Sequence, residues 1–246
     1  RKAARYADKV AASIFVNPIQ FGPNEDLDSY PRNLERDTRL AEKEGVDVLF
    51  CPSSKSMYPP GSLTRVVVNG LTEPLCGRNR PGHFEGVATV VAKLFNIVKP
   101  HVAVFGSKDF QQLAVIRQMV SDLNWDVEII AHPIVREADG LAMSSRNAFL
   151  MGDEREKALC LYKSLQTAKK NARQGHVEAA ELIAGAEDYI RTMSGVSIEY
   201  IEIIDDQTLE SCQTIDENTV MALAVKVGNT RLIDNDYLVS FKDEML

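Results

Sequence analysis

One segment decides the fold of this chain: Val102–Gln112, which reads VAVFGSKDFQQ. Its first four residues form a short apolar run between Pro100 and Gly106, a pattern typical of a buried β-strand. From Asp109 to Val120 apolar residues recur at helical spacing, so the sequence predicts a helix directly after a glycine turn. The free N–H groups and the dipole at the start of such a helix favour a bound anion.

Two polar side chains accompany this turn. Lys108 supplies a positive charge, and Gln112 follows it by one helical turn on the same face. Taken alone, the pattern fits an ordinary helix start with a solvated lysine equally well. The chain contains no GxxxxGK[ST] and no GxGxxG motif, so neither a P-loop nor a dinucleotide fingerprint supports the anion site.

Strands and helices alternate on both sides of the central segment. Further strands are predicted at residues 10–16, 46–51, 65–68 and 127–131, and further helices at residues 34–44 and 87–98. This alternation predicts a doubly wound parallel sheet with helical crossovers. Ligands bind such sheets beyond the carboxyl ends of the strands. Because Asn17–Gln20 and Gly106–Gln112 both follow strands, we expect the two loops to converge on one crevice.

The loop at residues 71–83 carries basic residues next to glycines. Arg78, Arg80 and His83 lie in it beside Gly77 and Gly82. Arginines in loops are usually only solvated. This group is therefore a candidate anion contact and not a defined site.

The pattern changes after His132. Two long amphipathic helices are predicted at residues 153–173 and 178–193, followed by strands at residues 197–204, 219–227 and 231–239. Gly228-Asn229 predicts a tight hairpin between the last two strands. We therefore expect two domains: residues 1–133 form the α/β unit, and residues 134–246 form a smaller α+β domain that covers the crevice as a lid.

Composition narrows the class of protein. The 246 residues are 45% hydrophobic, which is enough for a sizeable core, and the net charge of −7 disfavours a nucleic-acid partner. No apolar run approaches the length of a membrane span. The four cysteines are far apart and form no CxxC pair, so we expect free thiols in a reducing compartment.

A second candidate phosphate loop follows the turn at Asp139-Gly140. Met143-Ser144-Ser145-Arg146-Asn147 combines two hydroxyls, backbone amides and a guanidinium. Lys108 and Arg146, on separate loops, could clamp one polyphosphate from two sides. Gln20 and Gln112 can both donate and accept, which suits a ligand with hydroxyls and a carboxylate, although Gln20 and Asn17 also fit ordinary turn chemistry.

Four blocks of the chain, residues 13–21, 80–87, 105–112 and 138–147, resemble the pantothenate synthetase family. The resemblance extends over essentially the whole sequence. It implies a Rossmann-like, nucleotidyltransferase-type ligase of the coenzyme A pathway that is dimeric, cytoplasmic and Mg²⁺-dependent. In this family the carboxylate of pantoate attacks the α-phosphorus of ATP, and β-alanine then attacks the adenylate, which yields pantothenate and AMP.

The resemblance also implies roles for individual residues. The ATP-binding residues would be Gly106, Ser107, Lys108, Asp109, Val135, Met143, Ser144, Ser145 and Arg146. Lys108, Ser144, Ser145 and Arg146 would be catalytic among them. Gln20, Gln112 and, more weakly, Asn17 would hold pantoate, and Gln20 would also contact β-alanine. No Mg²⁺ ligand is assigned.

Two departures from the family pattern affect this interpretation. Ser107 stands where the family commonly has glutamate, which a contact through the backbone amide would tolerate. The N-terminal strand and HxGH motif of the family are not found, and His83, His101, His132 and His176 do not replace them. We therefore expect this chain alone to bind ATP weakly and turn over little. The alternatives are a related ligase for another acid, and a truncated, non-catalytic ATP-binding or dimerisation module.

Overall fold

The computed structural model describes residues 1–23 and 25–239. Nine helices and strands make up the first part of the chain: β1 (Ala11–Ser13), α1 (Leu34–Lys43), β2 (Val48–Phe50), α2 (Ser54–Met57), α3 (Cys76–Asn79), α4 (His83–Val98), β3 (Val102–Gly106), α5 (Phe110–Asp122) and β4 (Glu128–His132). The second part contains α6 (Glu154–Ala158), α7 (Cys160–Arg173), α8 (Ala179–Arg191), β5 (Val196–Asp205), β6 (Thr219–Val227) and β7 (Thr230–Tyr237). Short 3-10 turns lie at Ala3–Arg5, Pro18–Gln20 and Ser145–Phe149.

The first part has the predicted parallel pairing. β1 pairs with β2, and β3 pairs with β4 from Val102 opposite Glu128 to Gly106 opposite His132. Within residues 1–23 and 25–239, no strand hydrogen-bonds to both pairs, so the single sheet that we expected is present as two two-stranded sheets. β3 is also only half-buried, and not fully buried as its apolar run suggested.

Helix α4 is the centre of the first core. It follows Gly82, whose φ of 81° is in the left-handed region, and its apolar residues recur at helical spacing. They pack against one face of α5. The core consists of Met57, Val68, Cys76, Phe84, Val87, Ala88, Val90, Val91, Ala92, Phe95, Val115, Ile116, Met119 and Val120. This packing fixes α4 and α5, which both border the site described below.

The predicted strand at residues 65–68 is wrong. The segment has no regular secondary structure and pairs with no strand of the described chain. Its Val66 N–H instead donates to the Thr89 hydroxyl of α4, at 2.9 Å. A β-branched run forms a strand only where a neighbouring backbone offers hydrogen bonds, and here the neighbour is a helix.

The second part is an antiparallel sheet covered by helices. β6 lies between β5 and β7, and the predicted hairpin turns at Gly228, whose φ is 55°. The helix predicted at residues 153–173 is divided into α6 and α7, which meet at Leu159. α7 and α8 pack on the sheet around Leu161, Leu165, Ile190 and Leu223, which form a second core.

A smaller cluster joins the two cores. Leu75 from the first part packs with Ile204, Leu209, Val220 and Ala222 from the second. The two large cores draw their residues from either side of residue 133, which supports the proposed division there, although residues 240–246 lie outside the described chain. None of the described helices is long and apolar enough to cross a membrane.

Candidate active site

A cleft of about 290 Å³ lies where the predicted loops meet. Its wall contains Asn17 and Gln20 from the loop after β1, Lys108, Asp109 and Gln112 from the turn after β3 and the start of α5, and Met143, Ser144, Ser145 and Arg146 from the loop after β4. The wall is completed by Phe15, Val16, Phe21, Tyr30, Arg80 and His83. The convergence expected from the strand ends is therefore present.

The turn that carries Lys108 is held by hydrogen bonds from both sides. Ser107 N–H donates to the carbonyl of His132 at 2.8 Å, which continues the β3–β4 ladder by one residue. On the other side, the buried Asn235 amide donates to the carbonyls of Ser107 (3.1 Å) and Lys108 (2.9 Å). With its carbonyls fixed in this way, the turn presents the start of α5 and the Lys108 side chain to the cleft.

Asp234, which precedes Asn235 in β7, holds the second candidate phosphate loop. Asp234 accepts two hydrogen bonds from the Arg136 guanidinium, at 2.7 and 3.0 Å. Arg136 also donates to the carbonyl of Gly140 and lies over the ring of Tyr162. Two adjacent residues of the second part thus position both candidate phosphate loops. Sequence reasoning missed them, although the polar run Asp234-Asn235-Asp236 inside a predicted strand was a usable signal.

Asn17 acts mainly as a support for Gln20. It is only 2% exposed, and its Nδ2 donates to Gln20 Oε1 and to the Gly86 carbonyl, both at 3.0 Å. Its Oδ1 accepts from the Tyr58 hydroxyl at 2.8 Å. Because Gln20 already accepts from Asn17 through its oxygen, its amide N–H groups are the part left to donate to a ligand.

Helix α4 approaches this loop so closely that only glycine fits at Gly86. A Cβ atom there would lie 2.6 Å from Gln20 Cα, 2.7 Å from Gln20 N and 2.7 Å from the Ile19 carbonyl oxygen. Every one of these atoms belongs to the backbone, so no side-chain rotation could relieve the contact. Gly86 therefore sets the distance between α4 and the Gln20 loop.

Of the three basic residues in the loop before α4, Arg80 and His83 reach the cleft and Arg78 does not. Arg78 pairs with Glu202 at 3.0 Å instead. Arg80 donates to Glu25 at 2.7 Å, and its Nη1 lies 3.1 Å from His83 Nε2. His83 Nδ1 lies 2.8 Å from the Gln20 carbonyl, so Nδ1 carries the proton and Nε2 accepts from Arg80.

Burial, reinforced by the charge of Arg80, lowers the pKa of His83 to about 4. The imidazole is therefore neutral near neutral pH, as its hydrogen bonds require. Partial burial alone would raise the pKa of Glu25, but the hydrogen bond and charge of Arg80 outweigh this effect and lower it. Arg80, His83 and Glu25 thus form one fixed group beside Gln20.

Arg146 already has an acidic partner. Its Nε and Nη2 both donate to Asp26, each at 2.7 Å, and its guanidinium lies 5.4 Å from the centre of the Tyr30 ring. Burial tends to raise the pKa of Asp26, but the hydrogen bond and charge of Arg146 lower it overall. Ser145 donates to the Tyr30 hydroxyl at 2.9 Å. Asp26 and Tyr30 were not predicted, because nothing in their local pattern marks them.

Three predicted ATP-binding residues do not line the cleft. Gly106 ends β3, Ser107 is buried beneath the turn, and Val135 is 51% exposed with its carbonyl bonded to Met143 N–H. A role for these residues stays a prediction.

No metal centre is formed by the described side chains: they contain no group of three or more His, Cys, Asp or Glu residues placed to hold an ion. The described side chains therefore do not fit a Mg²⁺ site made of protein ligands alone. Cys51, Cys76, Cys160 and Cys212 are free thiols, as predicted.

The parallel strands, their helical crossovers and the polar cleft at the strand ends define an α/β protein of the nucleotidyltransferase type. The family model described as Pantoate-beta-alanine ligase matches residues 1–237. The chain belongs to this family, and it is an enzyme of the ligase class.

Individual relatives agree with the family assignment. The pantothenate synthetase of Syntrophotalea carbinolica is 54% identical over 239 residues, which cover 97% of this chain and 84% of that protein. The crystal structure of pantothenate synthetase from Thermus thermophilus superposes with a TM-score of 0.94 at 45% identity, covering 97% of this chain and 86% of that one. The structure of the ligase from Francisella tularensis was solved in complex with βγ-ATP and β-alanine. It superposes with a TM-score of 0.77 at 36% identity, covering 96% of this chain and 82% of that one.

Proposed function

We propose that the protein condenses (R)-pantoate with β-alanine, using ATP and a pantoyl-adenylate intermediate and releasing pyrophosphate and AMP. One observation carries this proposal: a single cleft contains Gln20 and Gln112 beside Lys108 and the Ser144–Arg146 loop. The Francisella tularensis relative was solved with an ATP analogue and β-alanine, which supports the same substrate classes here.

In the first step, Gln20 and Gln112 orient pantoate. Their amides can bind its hydroxyls and carboxylate without neutralising the carboxylate, which therefore remains a nucleophile. A carboxylate oxygen attacks the α-phosphorus of ATP. The bond from that phosphorus to the bridging oxygen breaks, and pyrophosphate leaves with the electron pair.

The cations and hydroxyls of the cleft stabilise the charge that moves during this step. Lys108, the start of α5 and the residues Ser144, Ser145 and Arg146 all line this cleft. Donors fixed before the reaction lower the barrier most where charge develops. Arg146 shares its guanidinium between Asp26 and the phosphate, so Asp26 keeps it aimed at the cleft before ATP arrives. The family resemblance adds Gly106, Ser107 and Val135 to the proposed nucleotide site, although they do not line the cleft.

In the second step, the amine of β-alanine attacks the acyl carbon of the adenylate beside Gln20. The bond from this carbon to the phosphate oxygen breaks, AMP leaves, and the amine nitrogen loses a proton as the amide forms. The adenylate would hydrolyse in open water. The second domain, whose Asn235 binds the turn at Ser107 and Lys108, limits that loss by covering the reacting atoms.

Three further properties rest on the family resemblance. We propose that Mg²⁺ enters bound to the phosphates of ATP, and no step above is assigned to it. A homodimer and a cytoplasmic location are likewise proposed and await measurement.

The substitution Lys108→Ala tests the nucleotide site. We expect ATP affinity, measured by calorimetry, to fall about 10- to 100-fold, because a charge-assisted contact to phosphate is lost. Lys43→Ala, on the exposed last turn of α1, is the matched control and should bind ATP as the unmodified protein does. Unchanged ATP affinity in Lys108→Ala would contradict the proposed site.

AMP release tests the reaction itself. The unmodified protein should release AMP only when ATP, pantoate and β-alanine are all present, and pyrophosphate when ATP and pantoate alone are present. Faster release with another hydroxy acid than with pantoate would instead identify a related ligase.

A further inference from the structure

A chain of hydrogen bonds behind the cleft runs from Tyr58 through Asn17 to Gln20. The Tyr58 hydroxyl lies 2.8 Å from Asn17 Oδ1. Asn17 Nδ2 lies 3.0 Å from both Gln20 Oε1 and the carbonyl oxygen of Gly86. Asn17 and Gln20 line the cleft, whereas Tyr58 does not. Tyr58 can therefore affect a ligand only through the residues that it holds.

The carbonyl of Gly86 sets the direction of this chain of hydrogen bonds. A backbone carbonyl can only accept, so the Asn17 atom that faces it must be the amide nitrogen. The amide oxygen of Asn17 then accepts from Tyr58, and the second N–H of Asn17 donates to Gln20 Oε1. The opposite orientation would place two acceptors 3.0 Å apart. Gln20 is therefore left with its two amide N–H groups to offer to the cleft.

Several contacts fix the Tyr58 side chain. Its backbone N–H donates to the Ser54 carbonyl at 2.8 Å, at the end of α2, and the following Pro59 disfavours helical backbone angles at Tyr58. The centre of its ring lies 6.4 Å from that of Phe15 and 5.8 Å from the Lys93 ammonium. Burial raises the pKa of Tyr58 to about 12, so the hydroxyl keeps its proton near neutral pH. The hydroxyl is therefore a fixed donor.

Removal of this donor would leave a buried acceptor without a partner. Asn17 is only 2% exposed, so solvent does not reach its amide oxygen to replace the Tyr58 hydroxyl. A buried carbonyl oxygen that has lost its donor is unfavourable. Asn17 can relieve this only by turning its amide, which breaks the hydrogen bond to Gln20. The amide of Gln20 is then free to rotate and to present its oxygen to the cleft for part of the time.

We propose that Tyr58 is a positioning residue for the acid substrate: its hydroxyl fixes the orientation of Asn17, and Asn17 fixes that of Gln20. The inference rests on the proposed function, in which this substrate is pantoate. A carboxylate can only accept hydrogen bonds, so it is bound by the N–H groups of Gln20 and would be repelled by a Gln20 oxygen in the same place. Tyr58 thus contributes to pantoate binding without touching pantoate.

The substitution Tyr58→Phe removes the hydroxyl and keeps the ring. We expect the KM for pantoate to rise about 5- to 10-fold, somewhat less than the effect of losing a whole hydrogen bond to a charged group. The KM for ATP should stay within about twofold, because the Lys108 and Ser144 loops are separate from this chain of hydrogen bonds. Both constants are measured by pyrophosphate release with ATP and pantoate, before the amine is added. Partial unfolding would instead lower kcat and leave both KM values unchanged.

A second substitution shows whether Tyr58 acts through Gln20. In the Gln20→Ala background there is no amide to orient, so adding Tyr58→Phe should change kcat/KM for pantoate by less than about twofold. In the unmodified background the same change should lower kcat/KM by at least about fivefold. Effects that multiply in the double variant would mean that Tyr58 acts by another route, and the inference would be wrong.

Tyr237→Phe is the matched control. The hydroxyl of Tyr237 donates to Asp206 at 2.9 Å, so this variant also loses a hydrogen bond of a half-buried tyrosine, but outside the cleft. It should leave the KM for pantoate unchanged. If Tyr58→Phe does not fold, Asn17→Ala removes the same contact from its other end. Its KM for pantoate should rise by at least as much, and this effect should likewise vanish in the Gln20→Ala background.

Two outcomes separate the inference from the proposed function. If Tyr58→Phe, or Asn17→Ala in its place, leaves the KM for pantoate unchanged, the inference is overturned and the proposed function stands. If the unmodified protein releases no pyrophosphate from ATP and pantoate, the proposed function itself fails.

Discussion

The substitution Gly86→Ala tests how the site is built. The added Cβ would lie 2.6 Å from Gln20 Cα, whereas ordinary van der Waals contact begins at 3.4 Å. The Gln20 loop must therefore move away from α4 by roughly 0.8 Å, since neither backbone can rotate out of the way. The hydrogen bond from Asn17 to the Gly86 carbonyl would lengthen by a similar amount.

This displacement should affect pantoate more than ATP. A hydrogen bond to a charged ligand group is worth about 1.5–3 kcal/mol, so displacing Gln20 from pantoate should lower pantoate affinity by about 10- to 100-fold. ATP affinity should change by no more than about threefold, because Lys108 and Ser144 belong to other loops. The free energy of unfolding should fall by about 1–3 kcal/mol, as for other overpacked sites. Calorimetric titration of each substrate and urea denaturation measure these effects.

Gly185→Ala provides the matched control. Gly185 also lies within a helix, α8, but a Cβ atom there would meet nothing within 4 Å. Because alanine is the better helix former, this control should be neutral or more stable by up to about 1 kcal/mol. If Gly86→Ala binds pantoate as tightly as Gly185→Ala does, the close approach of α4 does not position Gln20, and the role assigned to Gly86 is refuted.

Two further predictions concern stability. Gly140→Ala should lower the free energy of unfolding by at least about 2 kcal/mol in urea denaturation, because φ at Gly140 is +97° and the new Cβ would lie 2.3 Å from the Tyr162 ring. A Gly140→Ala variant as stable as Gly185→Ala would refute this. The pKa of His83 is lowered from 6.5 to about 4, so between these values the unfolded chain binds a proton that the folded chain does not. Stability should therefore decrease as the pH falls from about 6.5 to 4, by up to about 3 kcal/mol, and His83→Gln should remove this part of the pH dependence; an equally steep decrease in the variant would contradict the assignment.

The sequence was most informative where local pattern and topology agree. The apolar run and glycine turn at Val102–Gly106 predict a strand end, and parallel strands bring their ends to one edge. The convergence of the Gln20 and Lys108 loops followed from that rule. The residue types also suggested phosphate binding by Lys108 and Arg146. The remaining single-residue roles came from the family resemblance.

The parts that could not be predicted depend on partners distant in sequence. Residues 65–68 have the composition of a strand, yet their hydrogen-bond partner belongs to a helix. Asp26 looks like an ordinary surface charge until the fold places it against Arg146. Asn235 becomes significant only because the turn at Ser107 lies next to β7. The local periodicity of the sequence does not reveal these contacts, because their partners are distant along the chain.

The distribution of charge explains how an acidic protein could select a polyanion. The net charge of −7 repels ATP over long distances, so attraction must come from the cleft itself. There the Arg80 and Arg146 guanidiniums are already paired with Glu25 and Asp26, which fixes their direction but reduces their net charge. Lys108 makes no ion pair with any described residue, so among the cations of the cleft its charge is the most available to an incoming phosphate. An ammonium without an ion-pair partner, in the same cleft as two prepositioned guanidiniums, can follow the phosphate charge as a bond breaks, and Lys108 should therefore matter more for the transition state than for the ground state.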